Sequence, residues 1–375
     1  MQVLQTTLLT GPYDWDAALM PRTEFAARLA AVRVTMAETG VEALLVYGNS
    51  REYGALNYVT GFTPKLDHAL ALVPAAGPLR LLVSGTDLML PAAKLQTWVE
   101  DVGTLANIGK LLPEWLAERG FARAITLGTW GGAGMPRILY TGVVNGMRER
   151  GRILDCDAAL DLLRRRKTPR ERDLIRRACH VLGTAADAFA EAARNGAGNR
   201  AAALAAERAA FDAGAQDARV LASLRAGGPP LPLDGARDVA VDPLLAAIAV
   251  QHTGYWAEGL LTLAATPRQA PARATAALEA VLRQAKAAVA ASTLARAAAT
   301  TIAPATPHPL TGGAIGYGIG LSLEEAPLAG DAPLEAGAVY CLRVGAEAAP
   351  GDAAIASAMV AVDTNASEIL WRSPK

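Results

Sequence analysis

The sequence predicts an α/β N-terminal domain followed by an α+β domain, and three observations predict it. Over about residues 20–155, short apolar strands alternate with helical patterns, as in a sheet with helices layered on it. At Leu160–Asp173 (LDLLRRRKTPRERD) the composition turns to a charge run containing Pro169, the best candidate boundary. From about 160 to 372, helices come first and a mostly antiparallel set of strands closes the chain. We therefore expect domains over residues 1–158 and 159–375.

Residues 1–20 read as an irregular lead-in with a Gly11-Pro12 turn. Thr23 is placed to cap a helix running to about Thr39, with Phe25, Leu29, Val32 and Met36 at helical spacing and Gly40 ending it. Glu42–Tyr47 is a buried strand, and Ala69–Val73 and Leu79–Val83 flank a Pro74–Pro78 turn. Trp98–Val102 and Ala124–Leu127 are further strands, with helices over Ala106–Arg119 and Arg137–Arg148. In the second domain the long helix to about Ala193 is followed by one over Arg200–Ala213. Strands follow at Arg219–Leu224, Leu244–Gln251 and Gly254–Leu263. Ala-rich helices cover Arg273–Ala291 and Thr293–Thr301, and strands fall at Val339–Val344, Ala356–Val362 and Glu368–Trp371.

Lys+Arg and Asp+Glu are each 36, so the chain lacks the basic excess that binding to nucleic acid or to anionic lipid needs. Its apolar character is largely alanine, 42 of residues 181–300, and the longest apolar run there, Leu244–Val250, is far below the ~20 residues of a membrane span. Met1–Pro12 has no basic segment and no long apolar run, so a signal peptide is not expected. Cys156, Cys179 and Cys341 are odd in number and widely spaced, which fits free thiols in a cytoplasmic protein rather than a disulfide framework or zinc knuckle.

Candidate chemistry is concentrated in the second domain. The glycines Gly312, Gly313, Gly316, Gly318 and Gly320 lack the preceding strand and following Lys of a phosphate loop, so close backbone approach around a pocket is the better account. Glu258 lies in a mostly apolar strand, where a carboxylate must be paired or neutralised. Arg343, in the apolar strand VYCLRVG, is its candidate partner, and Glu324-Glu325 follow the glycines. None of His68, His180, His252 and His308 pairs at metal-ligand spacing. His252, at a hairpin turn, reads as a surface or satisfied histidine, with a place at the pocket as the functional alternative.

Several phrases, in order, resemble the creatinase, prolidase and aminopeptidase P (M24) family, whose second domain has the pseudo-twofold pita-bread fold. They are Arg164–Ala178 (RRRKTPRERDLIRRA), Ala55–Phe62 (ALNYVTGF), Gly254-Tyr255 with Glu258, Gly316–Leu321 (GYGIGL), Glu325-Ala326-Pro327 and Leu334–Gly337 (LEAG). Met359–Val362 followed by Ser367–Leu370 matches the closing hairpin. The resemblance implies a pita-bread C-terminal domain, a homodimer, and in the peptidases two divalent metals held by two Asp, one His and two Glu. At those positions this sequence has Ala247, Glu258, Tyr317, Arg343 and, within one residue, Ser357. A guanidinium among such ligands repels cations by about 4 kcal/mol per unit charge at 4 Å and an effective dielectric of ~20. Creatinase works without metal through a His in the loop after the domain's first strand. The matching loop, Arg225–Asp234, has Leu233 near that position and no His.

The sequence therefore leads to a metal-free, cofactor-free homologue of these peptidases that binds a small-molecule or peptide-like ligand, or a partner, through the old pocket. The alternative is a metal-independent, creatinase-like C–N hydrolase or another rewired enzyme. In that reading Glu258 with Glu324 or Glu325 supplies acid/base chemistry. Tyr255 and Tyr317 donate hydrogen bonds, and Arg343 or Arg225 clamps an anion. The expected catalytic set is Glu258, Tyr317, Arg343 and Glu325, and the pocket set is Arg225, His252, Tyr255 and Glu324, with no metal ligand.

Overall fold

The first helix of the computed structural model, α1 (Arg22–Thr39), buries Phe25, Leu29, Val32 and Met36 and ends where Gly40 turns left-handed at φ 69°. The structure describes residues 13–374 apart from 66, 122, 234, 236 and 312; the expected Gly11-Pro12 turn and Gly312 lie outside them. Thr23 does not cap α1: Pro21 holds the N-cap position with no side-chain hydrogen bond, and Thr23 sits inside the first turn.

The chain divides into two compact units that meet at Arg164–Arg165, inside the charged stretch. In the first, β1 (Ala43–Asn49) lies at the middle of a six-stranded mixed sheet. The other strands are β2 (His68–Pro74), β3 (Arg80–Val83), β4 (Asp101–Thr104), β5 (Ile125–Trp130) and β6 (Gly151–Asp155), in the order β4-β3-β2-β1-β5-β6. Between them run α2 (Gly54–Thr60), α3 (Leu90–Leu95), α4 (Ile108–Glu118) and α5 (Arg137–Met147). Leu45, Leu70, Leu72 and Leu127 of the sheet pack on Leu112, Trp115 and Val143 of α4 and α5.

Two sequence readings shift here. The strand expected at Trp98–Val102 begins only at Asp101, because Thr97 and Trp98 hydrogen-bond through their side chains to the carbonyls of Thr60 and Val59 instead of joining a ladder. Strand β6 was not expected. It opens at Gly151, whose φ of 130° and tight approach to the Ile125 backbone leave no room for a Cβ.

The second unit begins at the end of α6 (Asp157–Arg165). A capping box in which Thr168 accepts from Glu171 N–H then restarts the chain as α7 (Pro169–Arg194). With α8 (Asn199–Asp212), α7 backs an antiparallel sheet in the order β10-β9-β7-β8, from β7 (Asp217–Ser223), β8 (Pro230–Leu231), β9 (Leu244–His252) and β10 (Tyr255–Leu263). The motif then repeats with different residues. Helices α9 (Gln269–Gln284) and α10 (Ala291–Ile302) back a second antiparallel sheet. Its strands are β11 (Thr306–Pro307), β12 (Gly316–Gly318), β13 (Pro327–Leu328), β14 (Val339–Ala349), β15 (Asp352–Val362) and β16 (Ser367–Arg372), ordered β13-β12-β14-β15-β16 with β11 also on β14. Helix α9 ends short of the expected Ala291 because the backbone of Ala287 and Ala288 is claimed by the Asp363 and Leu334 carbonyls.

Side-chain alternation decides what each face does. Tyr340, Leu342 and Val344 of β14 point into the helices, where Ala274, Ala277, Leu278 and Leu294 meet them. Cys341 and Arg343 therefore face the other way, toward β10. On β9 and β10 the register pairs Glu258 with Ala249 and Leu260 with Ala247, placing all four on one face. The two sheets are joined there: Leu260 N–H donates to Ser357 Oγ at 2.7 Å, and Thr262 Oγ1 donates to the Ile355 carbonyl at 2.9 Å. Leu245, Leu260 and Ile355 form a small apolar cluster with Ala247 against it.

Candidate functional site

Three side chains converge beyond that cluster, each from a different strand: Glu258 from β10, Tyr317 from β12 and Arg343 from β14. Each carries a buried polar atom without a hydrogen-bond partner, namely Glu258 Oε2, the Tyr317 hydroxyl and Arg343 Nε. Native interiors leave few such atoms, so three in one place need an explanation. The Arg343 guanidinium lies over the Tyr317 ring, 4.9 Å from its centroid.

Glu258 is shifted toward its protonated form and, among the described residues, makes no contact ion pair. Burial is the main reason its carboxyl is pushed up to about 7; the Arg343 charge and a hydrogen bond from Cys341 oppose that rise, and the Glu324 charge adds to it. The expected ion pair of Glu258 with Arg343 is not formed as a contact: their charges are felt across the site while the guanidinium stacks on tyrosine. Cys341, whose thiol burial pushes well up, donates to the Glu258 carbonyl at 3.7 Å and serves as core.

The remaining candidates go elsewhere. Glu325 receives the Lys167 ammonium on both carboxylate oxygens, at 2.8 and 3.0 Å, in a pair that is nearly closed to solvent. Gly318 and Gly320 make room for it, since a Cβ at Gly320 would stand 2.8 Å from Lys167 Nζ and 2.9 Å from Glu325 Oε1. Glu324 is exposed and reaches Glu258 only through its charge. Tyr255 lies on the opposite face of β10 from Glu258 and donates its hydroxyl to Glu171 at 3.0 Å, bracing the helix cap. His252 sits at the β9–β10 turn, 3.1 Å from the Gly214 carbonyl, and Arg225 is exposed in the turn after β7. Lys167 and Glu171 were not among the sequence candidates. The Thr168–Glu171 cap was readable from its spacing, whereas nothing local joins Lys167 to a carboxylate far along the chain.

A family model for metallopeptidase family M24 matches residues 173–363. The chain belongs to metallopeptidase family M24. Solved structures of M24-like fold agree with this over nearly the whole chain. The prolidase from Pyrococcus horikoshii OT3 is 18% identical with a TM-score of 0.73, covering 93% of this chain and 99% of that one. The X-Pro aminopeptidase from Thermotoga maritima MSB8 is 19% identical with a TM-score of 0.72, covering 91% and 96%. The N-terminal domain of the FACT complex subunit SPT16 from chickpea is 15% identical with a TM-score of 0.68, covering 93% and 96%. No curated protein matches the chain in sequence.

The donors of this M24 chain do not fit a pair of divalent cations. Ala247 has no ligating atom, Ser357 Oγ is engaged by Leu260 N–H, and Tyr317 offers a phenol. Glu258 is one carboxyl that holds its proton to about 7, and Arg343 adds a fixed positive charge. Hard and borderline dications need several anionic or imidazole donors. Among the described residues no group of three or more His, Cys, Asp or Glu is placed to hold a metal ion. Among these residues, too, no helix is long and apolar enough to cross a membrane.

An apolar cavity of about 290 Å³ lies on the helix side of β14, lined by Ala291, Ala298, Ile302, Ile315 and Leu328 and also by Arg343 and Val344. It contains no carboxylate, and the Arg343 guanidinium is turned toward Tyr317.

Proposed function

We propose that this chain is a metal-free M24 protein that uses the space between its two sheets to bind a small-molecule or peptide-like ligand, and is not a metallopeptidase. The observation that carries the reading is Arg343: a guanidinium with an unpartnered buried Nε stands where the family resemblance places a metal-ligating Glu. Its charge disfavours the cations of a peptidase, and its free donor calls for a ligand.

A second reading, a metal-independent creatinase-like C–N hydrolase, is favoured by one observation. A carboxyl held near 7 is poised for general acid/base work at neutral pH. In that reading Glu258 moves the proton, and Tyr317 and Arg343 stabilise developing negative charge. We also propose a cytoplasmic homodimer, in keeping with the buried free thiols and the family resemblance. Sedimentation of the purified protein tests the dimer.

One experiment separates the functional readings. Purified protein is assayed for bound Mn, Co, Fe and Zn, then titrated with Xaa-Pro dipeptides and small carboxylic acids, amides and amines while hydrolysis is monitored. Binding without turnover and without stoichiometric metal is expected. Glu258-dependent turnover without metal would install the second reading, and stoichiometric metal with Xaa-Pro cleavage would overturn both.

A further inference from the structure

The ligand chemistry can be read from the three unpartnered atoms and from what surrounds them. Arg343 Nε–H can only donate, and the guanidinium lies over the ring of Tyr317, whose hydroxyl is also unpartnered. Among the described residues the Arg343 guanidinium has no carboxylate in ion-pair contact, although its Nε is buried. The Arg343 side chain is only partly buried, but its Nε is closed to solvent and unpartnered, and a planar carboxylate matches the guanidinium's fork. Nearby polar groups do not supply one. Arg219, on the same sheet face through its pairing with Ala249, is held by Asp217 at 2.9 Å and lies over the Trp256 ring. Glu325 is held by Lys167, and Glu324 is exposed.

The rest of the space is apolar. Register places Leu221, Ala247 and Leu260 on the Glu258 face, and Ala247 rests on the Leu245, Leu260 and Ile355 cluster. Beside Arg219 and Gln251, which share this face, these apolar side chains suit a compact apolar body.

Resting on the reading of a metal-free binding pocket, we infer that the ligand is a small monocarboxylate with a compact apolar body, its carboxylate on Arg343 and Tyr317 and its body against Ala247 and Leu260. Glu258, whose carboxyl burial pushes up to about 7, donates to the same anion in its protonated form.

The test is calorimetric titration of the full chain with three isosteric series: isobutyrate and benzoate, their primary amides, and the corresponding amines. Carboxylates are expected to bind at least tenfold more tightly than either neutral or cationic isosteres. Arg343→Met is expected to abolish that preference, and the milder Tyr317→Phe to weaken carboxylate binding several-fold with an unchanged melting temperature. Arg208→Ala, on the exposed side of α8, is expected to bind as wild type does. Tighter binding of amides or amines than of carboxylates would overturn this inference and leave the binding pocket standing. So would carboxylate affinity untouched by both Tyr317→Phe and Arg343→Met. Silence across all three series would remove the pocket reading itself.

Discussion

Glu258 shows how a single residue resolves a physical dilemma that its strand context poses. A carboxylate in an apolar strand must find a cation or a proton, and here the proton wins because burial outweighs the Arg343 charge. The consequence for stability has a definite sign. Between the ordinary glutamate range near 4.3 and the folded value of about 7, the native state holds a proton that the unfolded state has released, so stability falls as pH rises through that window. Relative to Glu258→Gln, which cannot titrate, wild type should lose about 3 kcal/mol between pH 4.5 and 7.5. Urea unfolding of both proteins across that range measures it, and parallel curves would show that Glu258 is ionised in the fold. Lys167–Glu325 is the opposite case, a buried carboxylate in direct contact with an ammonium. Lys167→Met alone should cost about 3–5 kcal/mol, because it strands the carboxylate, while Lys167→Met with Glu325→Leu should recover most of that loss. A double-mutant cycle by denaturant melts reads the difference.

At the scale of elements, β12 is the least ordinary piece of the fold, a strand built from glycines around one tyrosine. Gly316 lies so close to β14 that a Cβ would stand 2.2 Å from the Cys341 carbonyl, and Gly318 and Gly320 accommodate the Lys167–Glu325 pair. The glycine series was conspicuous in the sequence, and its meaning as close approach was legible there. That it forms a strand was not, because a three-residue strand of glycine has no hydrophobic alternation to detect. Long amphipathic or apolar elements such as α1, α7, β9 and β10 could be read within a few residues of their ends, since their own patterns fix them. The elements that moved, β4 and the end of α9, are those where distant partners claim side chains (Thr97 and Trp98) or backbone groups (Ala287 and Ala288). The candidate site divides in the same way. Glu258, Tyr317 and Arg343 come together, whereas Tyr255 turns to the helix face of its strand, a matter of register parity that only the paired sheet reveals. Gly316→Ala should cost about 3 kcal/mol, the upper end of overpacking, because the obstruction is backbone. Gly235→Ala, at a position with open space, should be nearly neutral. Chemical denaturation of the two variants checks this, and equal stability would mean that β12 can slide away from β14.

Across the second unit as a whole, two helix-backed sheets are stitched along one edge by Ser357 and Thr262 and enclose the polar trio beyond that edge. The same frame that could hold cations here holds a cation of its own. Ser357 makes the exchange structural, because the residue at the approximate position of a family ligand now satisfies the Leu260 amide and joins the sheets. Metal affinity should therefore not arise through two added ligands while the guanidinium remains. Ala247→Asp with Tyr317→His, keeping Arg343, should bind Mn²⁺ or Zn²⁺ weakly. Adding Arg343→Glu should raise the affinity by at least three orders of magnitude, since removing a like charge at about 4 Å relieves about 4 kcal/mol per unit charge of the ion at an effective dielectric of ~20, and the ion carries two. Titration monitored by calorimetry and by metal-dependent melting, with Ser357 left intact to preserve the join, measures the step. If the Asp and His variants bind metal as tightly with Arg343 as without it, the guanidinium does not oppose cations, and the proposal of a metal-free site must rest on the donor set alone.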